Sequence, residues 1–140
     1  MKAEQLDWIK LFAYHTLMTP LIAIIEDDET ISQMYEYKLQ ASGYRTVRAN
    51  NGELGLQLCK AHHPDLILLD LRMPIMNGDE MLEKLRATDW GTKIKVLILT
   101  NISKDEAPRS LQILNIDRYI VKAHHTPQQL IEIIREVIKR

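Results

Sequence analysis

The chain contains a single cysteine, Cys59, among 140 residues, so no intrachain disulfide can form. A reducing compartment is the default for such a protein. Glycine and proline number five each, too few for a flexible linker or a low-complexity tract. Charge of one sign is not in excess. Eighteen Lys and Arg against nineteen Asp and Glu leave a net charge of −1, which excludes a general electrostatic pull toward nucleic acid or anionic lipid. No apolar stretch approaches the roughly 20 residues needed to span a bilayer. The first residues make a poor secretory leader, because Glu4 and Asp7 interrupt them and the apolar part, Leu11 to Met18, carries His15 and Thr16. These absences point to a cytoplasmic protein of one domain, with no membrane association and no direct nucleic-acid contact. Its 46% apolar content suffices for a full core.

What is present alternates. Residues 1–19 precede the first repeating unit, and Leu6, Ile9, Lys10 and Ala13 have roughly helical spacing, so this extension is expected to be a short helix or an incidental segment. After Pro20, apolar strands are expected at Leu21 to Ile25, Arg45 to Ala49, Leu66 to Asp70, Lys95 to Thr100 and Tyr119 to Val121. Helices are expected at Glu29 to Ala41, Gly52 to His62, Asp79 to Ala87, within Asp105 to Leu114, and from Pro127 onward. Gly43 and Pro64 mark helix ends, and Thr126-Pro127-Gln128-Gln129 marks a start. Five strands alternating with five helices predict an α/β domain over 20–140, with a parallel sheet covered on both faces. Ile131 and Ile138 lie off the main apolar stripe of the last helix, as edge packing or as a dimer or target surface.

The chemistry collects where the strands end. Glu26 and Asp27 (with Asp28 behind them) follow the first strand, Asp70 ends the third, Thr100 ends the fourth, and Lys122 follows the fifth. In a parallel sheet these tips share one edge. Several carboxylates at close range repel one another unless a cation or a raised pKa compensates. An all-oxygen donor set suits Mg²⁺, with Mn²⁺ as a substitute, whereas the histidines and Cys59 are wrongly spaced for zinc. One carboxylate beside such a cation can attack phosphorus and form an aspartyl phosphate, and Lys122 and Thr100 can receive the charge on the phosphoryl oxygens.

Ile-Ile-Glu-Asp-Asp at 24–28, Leu-Leu-Asp-Leu-Arg-Met-Pro-Ile-Met-Asn-Gly at 68–78, Leu-Ile-Leu-Thr at 97–100 and Tyr-Ile-Val-Lys at 119–122 resemble the receiver domain of bacterial two-component response regulators. The resemblance implies a flavodoxin-like, doubly wound sheet of order 2-1-3-4-5. It implies Asp70 as the phosphorylation site, Asp27 as the direct metal ligand with Glu26 in the outer part of the site, and the Arg72 backbone carbonyl as a further ligand. Thr100 and Lys122 would grip the phosphoryl group, and Thr100 with Tyr119 would form the switch. A histidine kinase or histidine phosphotransfer protein would supply the phosphoryl group in a Mg²⁺-dependent reaction, and slow self-catalysed hydrolysis would remove it. Such a domain is a phosphoacceptor and not an enzyme acting on other molecules. The output would be a change in the surface of helix 4, strand 5 and helix 5, presented to a downstream protein or to a second copy in a homodimer.

Departures from the family pattern are Ala123 after Lys122 where proline is usual, Asn101 after Thr100 where a small residue is usual, and Asn115-Ile116 before the fifth strand. By the same resemblance, Arg72 and Ile102 would border the water that hydrolyses the phosphate. Two other classes compete. A dehalogenase-type hydrolase wants an aspartate two residues after Asp70, where this chain has Arg72. An inert receiver-like binding module would not need the full acidic set.

Overall fold

Short β-rich apolar runs set the sheet. The computed structural model describes residues 2–139, the side chains of 15–17 apart, and its strands are Leu21–Ile25 (β1), Arg45–Ala49 (β2), Leu66–Leu69 (β3), Lys95–Thr100 (β4) and Arg118–Val121 (β5). All four pairings are parallel and the order is β2-β1-β3-β4-β5, as the resemblance implies. The α-helices are Ala3–Met18 (α1), Glu29–Ala41 (α2), Gly52–His62 (α3), Gly78–Arg86 (α4) and Pro127–Lys139 (α5).

Successive strand residues point to opposite faces, and each face is buried. Ala23, Ile25, Ile67, Leu69, Val96 and Ile98 pack with Cys59 of α3 and with Met81, Leu82 and Leu85 of α4. Ile22, Ile24, Leu66, Leu68, Leu97 and Leu99 pack with Tyr35 and Leu39 of α2 and with Leu130, Ile134 and Val137 of α5. Ile131 is buried in that second cluster and Ile138 packs against it, which assigns both to ordinary core packing. Trp90 covers the edge of the first cluster and meets His63 edge-on, with ring centroids 5.7 Å apart.

Local signals place the helix starts. Asp28 accepts the Ile31 N–H at 3.0 Å and caps α2, while Asn51 caps α3 through the Leu54 N–H at 2.9 Å. Thr126 and Gln129 exchange hydrogen bonds at the start of α5, as a capping box does. The fourth crossover takes the tighter 3₁₀ form, in two pieces, Lys104–Glu106 and Arg109–Ile113. Pro108 separates them and removes an N–H that a continuous α-helix would use. Its far end is held by Arg86, whose guanidinium donates to the carbonyls of Leu114, Asn115, Gly91 and Ile94 at 2.8–2.9 Å. Asn115 adopts a left-handed backbone (φ 54), a conformation that asparagine tolerates.

From β1 the chain crosses to β2 on one side, and from β2 it returns to β3 on the other. Strand order therefore reverses between β1 and β3, and the crevice beyond their C-terminal ends is where such sheets bind ligands.

Candidate functional site

The backbone brings the carboxylates to that crevice. Glu26 N–H donates to the Ala49 carbonyl at 3.1 Å, and Asp70 N–H donates to the Ile25 carbonyl at 3.0 Å, so both residues continue the sheet ladder by one step. Their side chains are then carried off the end of β1 and β3. Glu26, Asp27 and Asp70 each offer an oxygen, and these atoms lie within 4.8 Å of one another. Asp70 and Glu26 are buried (8% and 4% exposed), whereas Asp27 faces solvent at the mouth.

Lys122 sits in a single 3₁₀ turn, Lys122–His124, directly after β5. Its ammonium donates to Glu26 Oε1 at 2.6 Å and to Asp70 Oδ2 at 3.1 Å. With Ala123 in place of the usual proline, the turn still delivers the lysine to the cluster. Asp70 Oδ1 accepts the Leu71 N–H at 2.7 Å, which fixes the carboxylate plane. Thr100 is buried at the tip of β4, and its hydroxyl accepts a long hydrogen bond from Ile102 N–H at 3.4 Å. Tyr119 is half-buried, and its hydroxyl donates to the Ile102 carbonyl at 2.8 Å, tying β5 to the segment that follows Thr100.

Burial of Glu26, reinforced by the neighbouring Asp70 carboxyl, raises its pKa to about 8, against the pull of Lys122. Burial also works on Asp70, but the adjoining Glu26 carboxyl, the charge of Lys122 and the Thr100 hydroxyl outweigh it and hold Asp70 below its ordinary value. Lys122 is raised: burial opposes its charge, and the hydrogen bond to Glu26 and the charge of Asp70 overcome that opposition. Of the two buried carboxyls, Asp70 is the one held in its charged form.

The donor set fits a small hard cation. All three candidate ligands are carboxylates, and Glu26 Oε2 is buried with no hydrogen-bond partner among the described residues. An orphaned buried carboxylate oxygen beside two other acidic groups is what a divalent cation satisfies. A recess of about 290 Å³ opens onto Asp70, lined by Arg72, Thr100, Asn101, Ile102, Glu106 and Lys122. It is large enough for a phosphoryl group, and Asn101 is one exposed wall of it and not a plug.

This arrangement has a stability signature. A carboxyl raised in the folded state binds its proton more tightly there than in the unfolded chain, so the stability it confers is full below pH 4.5 and is lost as pH rises toward 8. Asp70, lowered in the fold, acts in the opposite sense and only below its ordinary value of 3.8, outside that window. In chelator the thermal midpoint should therefore fall between pH 5 and pH 8, and Mg²⁺ added at about pH 8 should restore it by replacing the lost proton. Differential scanning fluorimetry across pH checks this.

Residues 22–135 match the model of the response regulator receiver domain family. The chain is 31% identical over 121 residues to the polar-differentiation response regulator DivK of Brucella ovis, covering 86% of this chain and 98% of that protein. The chain belongs to the response regulator receiver family. Among solved structures, a CheY-like receiver domain protein from Methanospirillum hungatei superposes with a TM-score of 0.79 at 27% identity, covering 86% of this receiver and 94% of that chain. The receiver domain of the sensor histidine kinase PA1611 from Pseudomonas aeruginosa, a structure with magnesium in its active-site cleft, superposes with a TM-score of 0.79 at 21% identity, over 87% of this chain and 99% of that one.

Of the residues expected at the receiver's site, Glu26, Asp27, Asp70, Thr100 and Lys122 converge, Arg72 lines the recess, and Tyr119 stands behind Thr100. Two contributors escape a motif reading, the Leu71 amide and Glu106. The Leu71 amide that holds Asp70 is backbone and leaves no mark in sequence. Glu106, in the first 3₁₀ turn of the fourth crossover, lines the recess. Gly78, the last residue of the 68–78 motif, packs against the Asp70 carbonyl.

Proposed function

We propose that this receiver is a phosphoacceptor switch in which Asp70 accepts a phosphoryl group from a phosphohistidine on a histidine kinase or histidine phosphotransfer protein. The observation that carries the reading is the convergence of a low-pKa Asp70 with Glu26, Asp27 and Lys122 at the mouth of a recess of phosphoryl size. An Asp70 carboxylate oxygen attacks phosphorus as the nitrogen–phosphorus bond breaks, and the electron pair returns to the imidazole nitrogen, which takes up a proton. Asp27, Asp70 and the Arg72 carbonyl, with Glu26 in the outer part of the site, would hold Mg²⁺, or Mn²⁺ in its place, which would neutralise the carboxylates and the phosphoryl oxygens. Lys122 moves from its two-carboxylate contact to the phosphoryl group, and the Thr100 hydroxyl donates to another of its oxygens. Hydrolysis reverses the state: water attacks phosphorus, the Asp70 carboxylate leaves, and inorganic phosphate departs.

The switch is the Thr100–Tyr119 pair. Movement of Thr100 toward the phosphoryl group draws on the segment that accepts the Tyr119 hydroxyl, and Tyr119 resets the surface of the 104–113 crossover, β5 and α5. A downstream protein in the cytoplasm reads that surface. Incubation with acetyl phosphate and Mg²⁺ should add the mass of one phosphoryl group to the intact protein, and chelator should prevent it. Sustained turnover of a phosphoester without an adduct would favour the hydrolase class, and no reaction at all would favour the inert module.

A further inference from the structure

Tyr35 stands where an aliphatic side chain would serve packing equally well. Ile31, Tyr35 and Leu39 follow one another at four-residue steps on α2 and face the sheet. Leu39 is fully buried, and Tyr35 lies one turn closer to the carboxylate edge, where α2 begins. Tyr35 belongs to the second core cluster and is only 8% exposed, yet its hydroxyl makes no hydrogen bond to any described residue. A buried tyrosine ordinarily finds a partner for that group.

The ring borders the back of the carboxylate cluster. A cavity of about 10 Å³, room for about one water, is lined by Tyr35, Glu26, Asp70 and Lys122 and by aliphatic side chains of β1, β3 and β4. Tyr35 is the one uncharged polar side chain among the described residues on its wall. Burial raises the Tyr35 phenol above its ordinary value, against the pull of the Lys122 charge, so the hydroxyl keeps its proton at neutral pH and can donate it in a hydrogen bond.

The resting site leaves that donor idle, because the Lys122 ammonium already holds Glu26 Oε1 at 2.6 Å. On the phosphoacceptor reading, on which this inference rests, Lys122 leaves that contact for the phosphoryl oxygens. Glu26 stays behind, 4% exposed, with Oε1 newly unpaired and Oε2 already without a hydrogen-bond partner. A buried carboxyl stripped of its partner opposes the movement. Oε2 is the oxygen a cation would satisfy, so Oε1 is the one that needs a new donor. We propose that Tyr35 is a positioning residue for Lys122: its hydroxyl donates to Glu26 Oε1 as the ammonium departs, and this exchange of donors frees the lysine for the phosphoryl group. Tyr35 lies outside all four of the motifs at 24–28, 68–78, 97–100 and 119–122.

Tyr35→Phe tests it. Phenylalanine keeps the ring and its packing and loses only a hydroxyl that has no partner in the resting structure. The thermal midpoint of the unphosphorylated variant should therefore equal that of the wild type. Its maximal rate of phosphorylation by acetyl phosphate, followed by intact mass, should fall about tenfold, the effect of one hydrogen bond to a charged group. Half-saturating Mg²⁺ and acetyl phosphate should not change. In protein isotope-labelled at tyrosine Cζ, the substitution also identifies the Tyr35 resonance among the five tyrosines, as the one it removes. In the wild type that resonance should move downfield on phosphorylation, as a phenol does when its O–H is donated. A wild-type rate in the variant, a lower midpoint before phosphorylation, a fall confined to half-saturation, or an unmoved Tyr35 resonance would overturn the inference and leave the phosphoacceptor reading standing. A wild-type protein that takes up no phosphoryl group would remove that reading and this inference with it.

Discussion

Asp70→Asn should remove the phosphoryl adduct completely while leaving the fold intact. The substitution keeps the shape of the side chain and replaces its nucleophilic oxygen with an amide, which does not displace a leaving group from phosphorus. The fold tolerates the change because the ladder hydrogen bond from Asp70 N–H to the Ile25 carbonyl is backbone, and the Asn oxygen can still accept the Leu71 N–H. Removing one buried charge also relieves Glu26, whose pKa is raised in part by Asp70. Glu26 should then titrate closer to its ordinary range, and the chelator-dependent fall of the thermal midpoint with pH should flatten. Mg²⁺ binding should weaken at least about tenfold, roughly 1.4 kcal/mol, because a ligand is lost. Intact mass after acetyl phosphate treatment and a Mg²⁺ titration check the two effects. An adduct of wild-type size on the variant would contradict the assignment.

Gly78→Ala carries the largest expected loss of stability. A Cβ at position 78 would lie 2.0 Å from the Asp70 carbonyl oxygen, 3.0 Å from its carbon and 3.1 Å from Leu71 Cα. Every one of these neighbours is backbone, so no side chain can rotate away. The Gly78 N–H also donates to the Leu71 carbonyl at 2.9 Å, closing the loop against β3. Relief requires α4 to shift away from the residue that bears the nucleophile. The cost should be about 3 kcal/mol or more, at the upper end of overpacking, read as a lower urea midpoint at unchanged m-value. Gly43→Ala is the informative comparison. Gly43 has φ 94, with nothing within 4 Å of a Cβ, so that substitution should cost only the backbone strain of about 1–2 kcal/mol and leave phosphorylation unchanged. Gly78→Ala should slow phosphorylation as well, because Asp70 and Leu71 move with the loop.

Much of this architecture is legible in the chain itself. The runs Leu21–Ile25 and Leu66–Leu69 are apolar without interruption because both faces of those strands are covered, and that continuity is the mark of a parallel sheet. The same burial makes Glu26 and Asp70 conspicuous, since a carboxylate directly after such a run must sit at the sheet's edge. Asp28, directly behind the Glu26–Asp27 pair, caps α2. The 3₁₀ form of the fourth crossover was less legible. Leu111 and Leu114 carry the expected apolar contacts, but Pro108 and the Arg86 guanidinium decide the geometry, and Arg86 acts across more than twenty residues on carbonyl groups that no side-chain pattern reveals. The form of the extension depended on helical spacing alone, which places residues on a face without saying what covers it.

The account stands or falls on the identity of the phosphorylated atom. Treatment of the full chain with acetyl phosphate and Mg²⁺, reduction of any acyl phosphate with borohydride, and peptide mapping by mass spectrometry read it directly. The reduction product should fall at residue 70 alone, and it should be missing when chelator replaces Mg²⁺. A phosphoryl group that resists borohydride, or one that maps to another residue of a folded protein, would contradict the account.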